Sequence, residues 1–270
     1  MMLVKLAAGL ALAYGGAVAA LFLAQTWMIF PASLAIGGPP LPPGAERLEV
    51  TAPDGTRLIG HHVPAPPGTP PAPMILGFGG NAWNADTMVA TLHDLYPDHP
   101  VAGFHYRGYG PSGGRPGAAA VLDDALTLHD ALVERLAPAG VVPVGFSLGG
   151  GPAARLAAER PVGGAILVTA FGSLTDLAAD KVRWAPVRLL LRHAMPVAED
   201  VARADVPIAT VTAAADTLVT ARHSRPIAES AGGRLVYDRA IPGAGHETIF
   251  AHPDFAPAMR EALAAVEAAG

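Results

Sequence analysis

The hydrophobic pattern changes character three times along the chain. From position 6 to 23 the residues LAAGLALAYGGAVAALFL carry no charge, and a bilayer-crossing helix needs about 20 such residues. Apolar character continues through Trp27, Met28, Ile29 and Phe30, stops at Pro31, and gives way to a Pro- and Gly-rich stretch at 37–44. Beyond it the apolar runs become short. Positions 47–50 and 57–63 read as strands around a turn at Asp54-Gly55, and the Pro-rich stretch 64–73 is barred from strand interiors. From Met74 onward, apolar runs of four or five residues alternate with amphipathic stretches. Strands are predicted at 74–78, 101–105, 141–144, 165–168, 208–212 and 235–237. Helices are predicted at 85–95, 121–136, 148–159, 174–195, 221–231 and 257–268. Strand–helix alternation predicts an α/β fold: a mostly parallel sheet with helices on both faces and a functional site at the C-terminal strand ends.

This pattern divides the chain into an N-terminal membrane anchor (1–30), a Pro/Gly-rich linker (31–45) and one globular domain (46–270). Lys5 and the α-amino group precede the apolar stretch, and no Lys or Arg follows until Arg47. The positive-inside rule therefore puts the N-terminus in the cytoplasm and the domain on the extracytoplasmic side. A cleaved signal sequence, with small residues such as Ala17-Val18-Ala19 at the cleavage site, is the competing reading and leads to a secreted domain. A buried helix of the domain is a third.

Composition narrows the chemistry. A net charge of −5 argues against nucleic acid as a partner, which calls for a clustered basic surface. The absence of cysteine removes thiol catalysis and thiolate metal sites. No metal or cofactor is implied by residue types and spacing, and the oligomeric state is left open.

Gly145-Phe146-Ser147-Leu148-Gly149 fits G-x-S-x-G between the apolar strand VVPV and a helix. This is the context in which a serine hydroxyl is held out on a sharp turn. A serine needs a base to remove its proton. Of ten histidines, His246 lies in a glycine-rich loop, GAGHE, after the last strand and before the C-terminal helix. His252 adjoins Pro253 as in a surface turn, His61 and His62 sit on an early strand, and His93 and His129 fall in helices. The acid that orients the base is expected at Asp216, after the strand IATVT. Asp238 is the alternative, at the end of the next predicted strand, whereas Asp205 lies at the wrong end of its strand. The order Ser147, Asp216, His246 is one of the known chain orders of such a triad. The backbone N–H groups of Leu148 and Asn81 are the candidate donors to an oxyanion.

Together GFGGNAWN, FHYRGYGPSGG, GFSLGGG, VTAFGSL, AAADTLV and GAGHE resemble the α/β-hydrolases. The resemblance is to the membrane-associated α/β-hydrolase-domain group that includes lysophospholipid lipases and protein depalmitoylases, and it extends from about Ala45 to the C-terminus. It implies the α/β-hydrolase fold, a Ser147–Asp216–His246 triad, and an oxyanion hole at Asn81 and Leu148. Gly79 stands where that group usually has a histidine, so only a backbone role carries over there. Tyr106-Arg107-Gly108-Tyr109-Gly110 looks like the group's structural turn, with Arg107 not catalytic.

The expected reaction is hydrolysis of a carboxylic ester or thioester through an acyl-enzyme on Ser147, with a small-molecule or lipid acyl substrate. A peptidase on the same fold and a non-catalytic binding protein are the alternatives. Residues 175–200, with Trp184, Leu189, Leu190 and Met195, are candidates to cover the site or line an acyl pocket, or to form an ordinary packing helix.

Overall fold

The computed structural model describes all 270 residues. The chain opens with α1 (Met2–Ile29), an unbroken apolar helix, about 42 Å long at 1.5 Å per residue. It is long and apolar enough to cross a membrane. Phe30 and Ala35, just beyond it, are buried in the core of the domain.

The strands are β1 (Glu46–Thr51), β2 (Arg57–Val63), β3 (Met74–Phe78), β4 (Val101–Phe104), β5 (Val141–Phe146), β6 (Ala165–Val168), β7 (Ile208–Ala213) and β8 (Leu235–Ile241). The helices that follow α1 are α2 (Ala85–Leu95), α3 (Ala118–Leu136), α4 (Gly150–Glu159), α5 (Leu174–Lys181), α6 (Val187–Leu190), α7 (Val197–Arg203), α8 (Ala221–Ala231) and α9 (Phe255–Ala269). The strands form one sheet in the order β1-β2-β4-β3-β5-β6-β7-β8. Only β2 runs against its neighbours; every other pairing is parallel.

Parallel strands need helices on both faces, so the central strands are apolar on both sides. In β3, Met74, Leu76 and Phe78 join the core beneath α3, α4 and α7, while Ile75 joins Met88 and Leu92 of α2 and Met259 and Leu263 of α9. Because the parallel strands share a direction, the loops after β3, β5, β7 and β8 all emerge at one rim.

Two expectations are corrected. The helix predicted at 174–195 is interrupted: α5 stops at Lys181, α6 has only four residues, and 191–196 is not helical. Pro186 and Pro196 account for this, since each disfavours the helical conformation in the residue before it and lacks an N–H. The strand predicted at 235–237 continues to Ile241, which places Asp238 in mid-strand rather than at a strand end.

Candidate active site

Ser147 follows β5 in a left-handed conformation, φ 51°, sparsely populated for a residue with a side chain. Its two flanking glycines make that turn possible. A Cβ on Gly145 would lie 2.3 Å from the carbonyl oxygen of Gly149, and one on Gly149 would lie 2.0 Å from that of Phe78. A 3-10 turn from Ser147 to Gly149 leads into α4. The N–H of Leu148 thus sits in the first turn, where donors have no helical acceptor and the helix dipole favours negative charge.

The loop after β8 is closed by hydrogen bonds from the Gly245 N–H to Thr248 Oγ1 (2.9 Å) and from the Ile249 N–H to the Gly245 carbonyl (3.1 Å). It holds His246 with Nε2 3.0 Å from Ser147 Oγ and Nδ1 2.6 Å from Asp216 Oδ2. Asp216 lies in the turn after β7, and its side chain is 2% exposed. Its other oxygen accepts the N–H groups of Leu218 and Val219, both at 2.8 Å. With that oxygen occupied, Oδ2 remains to accept the imidazole Nδ1–H. Nε2 is then the unprotonated nitrogen, facing the serine hydroxyl. The turns that carry acid and base are tied by the Ala215 N–H donating to the Ala244 carbonyl (2.8 Å). Asp238, by contrast, is exposed and accepts the Thr210 hydroxyl. Asp205 is exposed before β7, and His252 accepts the Asp254 N–H within its own turn.

The loop after β3 faces Ser147 from across the rim, and the N–H of Asn81 has no acceptor within the chain. Its peptide carbonyls are held by two tyrosines: Tyr109 donates to the Asn81 carbonyl (2.6 Å) and Tyr106 to the Gly79 carbonyl (2.8 Å). Burial pushes both phenols above their ordinary range, keeping them as donors. Sequence reasoning treated this YRGYG turn as structural and missed that its tyrosines position the Asn81 loop. The available signal was a pair of tyrosines in a glycine turn directly after a strand.

A cavity of about 310 Å³ opens beside the serine, lined by Gly80, Asn81, Ala82, Trp83, Phe146, Ser147, Leu218, His246, Glu247 and Phe250. Trp83 meets Phe146 and Phe250 at ring-centroid distances of 4.9 Å each, building an aromatic wall the sequence did not reveal. No residue of 175–200 lines this cavity. Leu190 and Val187 pack against α1 instead, Met195 is buried in the core, and Leu189 is 86% exposed.

One cluster has metal-ligand chemistry outside the cavity. His61 Nδ1 and His105 Nε2 lie 2.7 and 3.2 Å from the same Asp86 oxygen. These are hydrogen-bond distances, and the bond from His105 holds the Asp86 carboxyl below its usual range. The network pins the start of α2 to β2 and to the end of β4. Arg107 is likewise structural: it bridges Asp124 on α3 through two bonds and reaches Asp54 at 2.7 Å.

Comparison with known proteins agrees with this architecture. A family model described as alpha/beta hydrolase fold matches residues 74–203. An uncharacterised Mycobacterium tuberculosis protein, Rv2307c, is 31% identical over 209 residues, 76% of this chain and 73% of that one. The uncharacterised Escherichia coli protein YfhR is 36% identical over 118 residues, 41% of each chain. Among solved structures, the Pyrococcus furiosus esterase Pf2001 superposes with a TM-score of 0.66 at 16% identity, covering 85% of this chain and 97% of its own. A Thermogutta terrifontis esterase gives 0.61 at 18% identity, covering 82% and 99%. At such identities the structures speak for the fold alone. Sequence relatives and topology together place the chain in one family: it belongs to the α/β-hydrolase fold family.

Proposed function

We propose that the protein is a membrane-anchored serine hydrolase that cleaves carboxylic esters or thioesters of short acyl groups. The observation that carries this reading is the series Ser147 Oγ, His246 and Asp216, linked at 3.0 and 2.6 Å on a strained turn beside a cavity. Ser147 attacks the acyl carbonyl while His246 Nε2 takes its proton, and Asp216 stabilises the imidazolium. The Leu148 and Asn81 N–H groups donate to the oxyanion. His246 then protonates the leaving alcohol or thiol, and water activated by the same imidazole hydrolyses the acyl-enzyme.

The cavity, about 310 Å³, lies at the low end of ligand sites, which run from about 300 to 1,000 Å³. Its apolar wall of Trp83, Phe146, Phe250 and Leu218 suits a short acyl chain. The motif likeness to lysophospholipid lipases and depalmitoylases belongs with this proposal, and the cavity favours the short-chain end of that range. The length and apolar character of α1 support an anchor, and the placement of Lys5 and Arg47 supports a catalytic domain on the extracytoplasmic side.

The test is turnover of p-nitrophenyl esters of increasing chain length, with fluorophosphonate labelling alongside. Wild type is expected to prefer butyrate over palmitate and to label. Ser147→Ala is expected to lose labelling and at least about 10³-fold in kcat. Full activity in Ser147→Ala would overturn the assignment.

A further inference from the structure

The C-terminal half of α1 is not free of the domain. Val18, Leu21, Phe22, Gln25 and Ile29 form one stripe of the helix packed on the segment between α5 and the end of α6. Polar contacts pin it there. The Tyr14 hydroxyl donates to the Trp184 carbonyl (3.1 Å), the Arg192 N–H donates to Gln25 Oε1 (2.7 Å), and Thr26 Oγ1 meets His193 Nε2 at 2.8 Å.

This docking conflicts with a helix that crosses a bilayer clear of the domain. From Met2 to Tyr14 the helix rises only about 18 Å, whereas the hydrocarbon layer is about 30 Å thick. The missing 12 Å or so is the stretch of α1 already flanked by the segment that begins at Val182. Two features of that segment suit the same surroundings. Residues 181–198 contain Lys181, Arg183, Arg188 and Arg192 and no Asp or Glu. Arg188 pairs with Asp176, and the other three cations have no carboxylate partner, which suits anionic lipid headgroups. Its exposed apolar side chains, Trp184 at 51% and Leu189 at 86%, continue the exposed apolar surface of α1.

We propose that residues 182–191 form a second membrane-embedded element, lying against α1 in the extracytoplasmic leaflet of a bilayer containing anionic lipid. Trp184 and Leu189 enter the acyl region, and Arg183 and Arg192 reach phosphate level by extending their long side chains. The element fixes how the domain faces the membrane. Lys181 Nζ donates to the Thr217 carbonyl (2.6 Å), next to Asp216 and to Leu218 on the cavity wall, so the candidate site is held close to the lipid surface.

The inference rests on reading α1 as membrane-spanning, and three labels separate the two ideas. The chain has no cysteine, so Leu10→Cys, Leu189→Cys and Val133→Cys each give the full-length protein one nitroxide site. The variants are reconstituted in phosphatidylcholine–phosphatidylglycerol vesicles, and relaxation by oxygen is compared with relaxation by a water-soluble nickel chelate. Labels at 10 and 189 are expected to respond chiefly to oxygen, and the label at 133, on the far end of α3, to the chelate. A label at 189 that behaves like the one at 133, while 10 stays in lipid, overturns the second element and leaves the anchor standing. Labels at both 10 and 189 in water overturn both.

Discussion

Asp216, in the turn after β7, and Asp238, inside β8 opposite Thr210, belong to neighbouring strand segments, yet only one meets the imidazole. Asp216 is almost fully enclosed, with one oxygen occupied by two backbone N–H groups and the other facing His246. Asp216→Asn keeps the size but puts an amide against Nδ1, which favours the wrong tautomer and is expected to lower kcat about 10⁴-fold. Asp238→Asn, on an exposed mid-strand position, should leave kcat within about twofold, since surface changes away from a site act weakly. Ester turnover by the two purified variants checks the pair; equal losses would sink the assignment. Ser147 and His246 were legible because glycine spacing and loop position are written in local sequence. The tyrosine donors to the Asn81 loop were not, since their partners lie 28 and 27 residues away.

At the scale of elements, Arg107 joins three pieces of the fold: the β1–β2 turn through Asp54, the loop after β4 and α3 through Asp124. The Asp124 partner holds its guanidinium above the ordinary arginine range. Arg107→Ala would strand Asp124, whose side chain is 7% exposed, as a buried charge without a partner. Such losses cost about 3–5 kcal/mol. Urea unfolding followed by far-UV circular dichroism should show that loss, and far less for Arg57→Ala, whose exposed pair with Glu49 is screened by water. Comparable midpoints would contradict the argument. The alternation of strands and helices from Met74 was readable because period and length differ between the two. The breaks at Pro186 and Pro196 were also in the sequence, but amphipathic spacing across 174–195 outweighed them. The extension of β8 to Ile241 depends on pairing with β7, which no local pattern encodes.

For the whole molecule, stability in acid follows from carboxylates that the fold holds ionised. The hydrogen bond from Arg107 brings Asp54 down to about 2, and the bond from His105 lowers Asp86. A carboxylate whose folded pKa lies below its unfolded value of about 4 adds stability above that pH and loses it on further acidification. The urea midpoint is therefore expected to fall as pH drops from about 4 toward 2; a flat profile over that window would refute it. The packing of α1 against 182–191 was beyond reach of sequence, because an apolar stretch announces its length and not its neighbours.

The aromatic wall has a further consequence. Trp83 stands two residues from Asn81, Phe146 beside Ser147, and Phe250 four residues from His246. Each of these rings is therefore carried within four residues of a group placed for the proposed reaction. Enlarging the chamber by trimming any of these rings loosens the backbone that aims a hydroxyl, an imidazole or an amide. In the proposed acyl hydrolysis, substrate breadth and turnover are coupled along the chain itself, and variants selected for bulkier acyl groups should surrender rate on small ones.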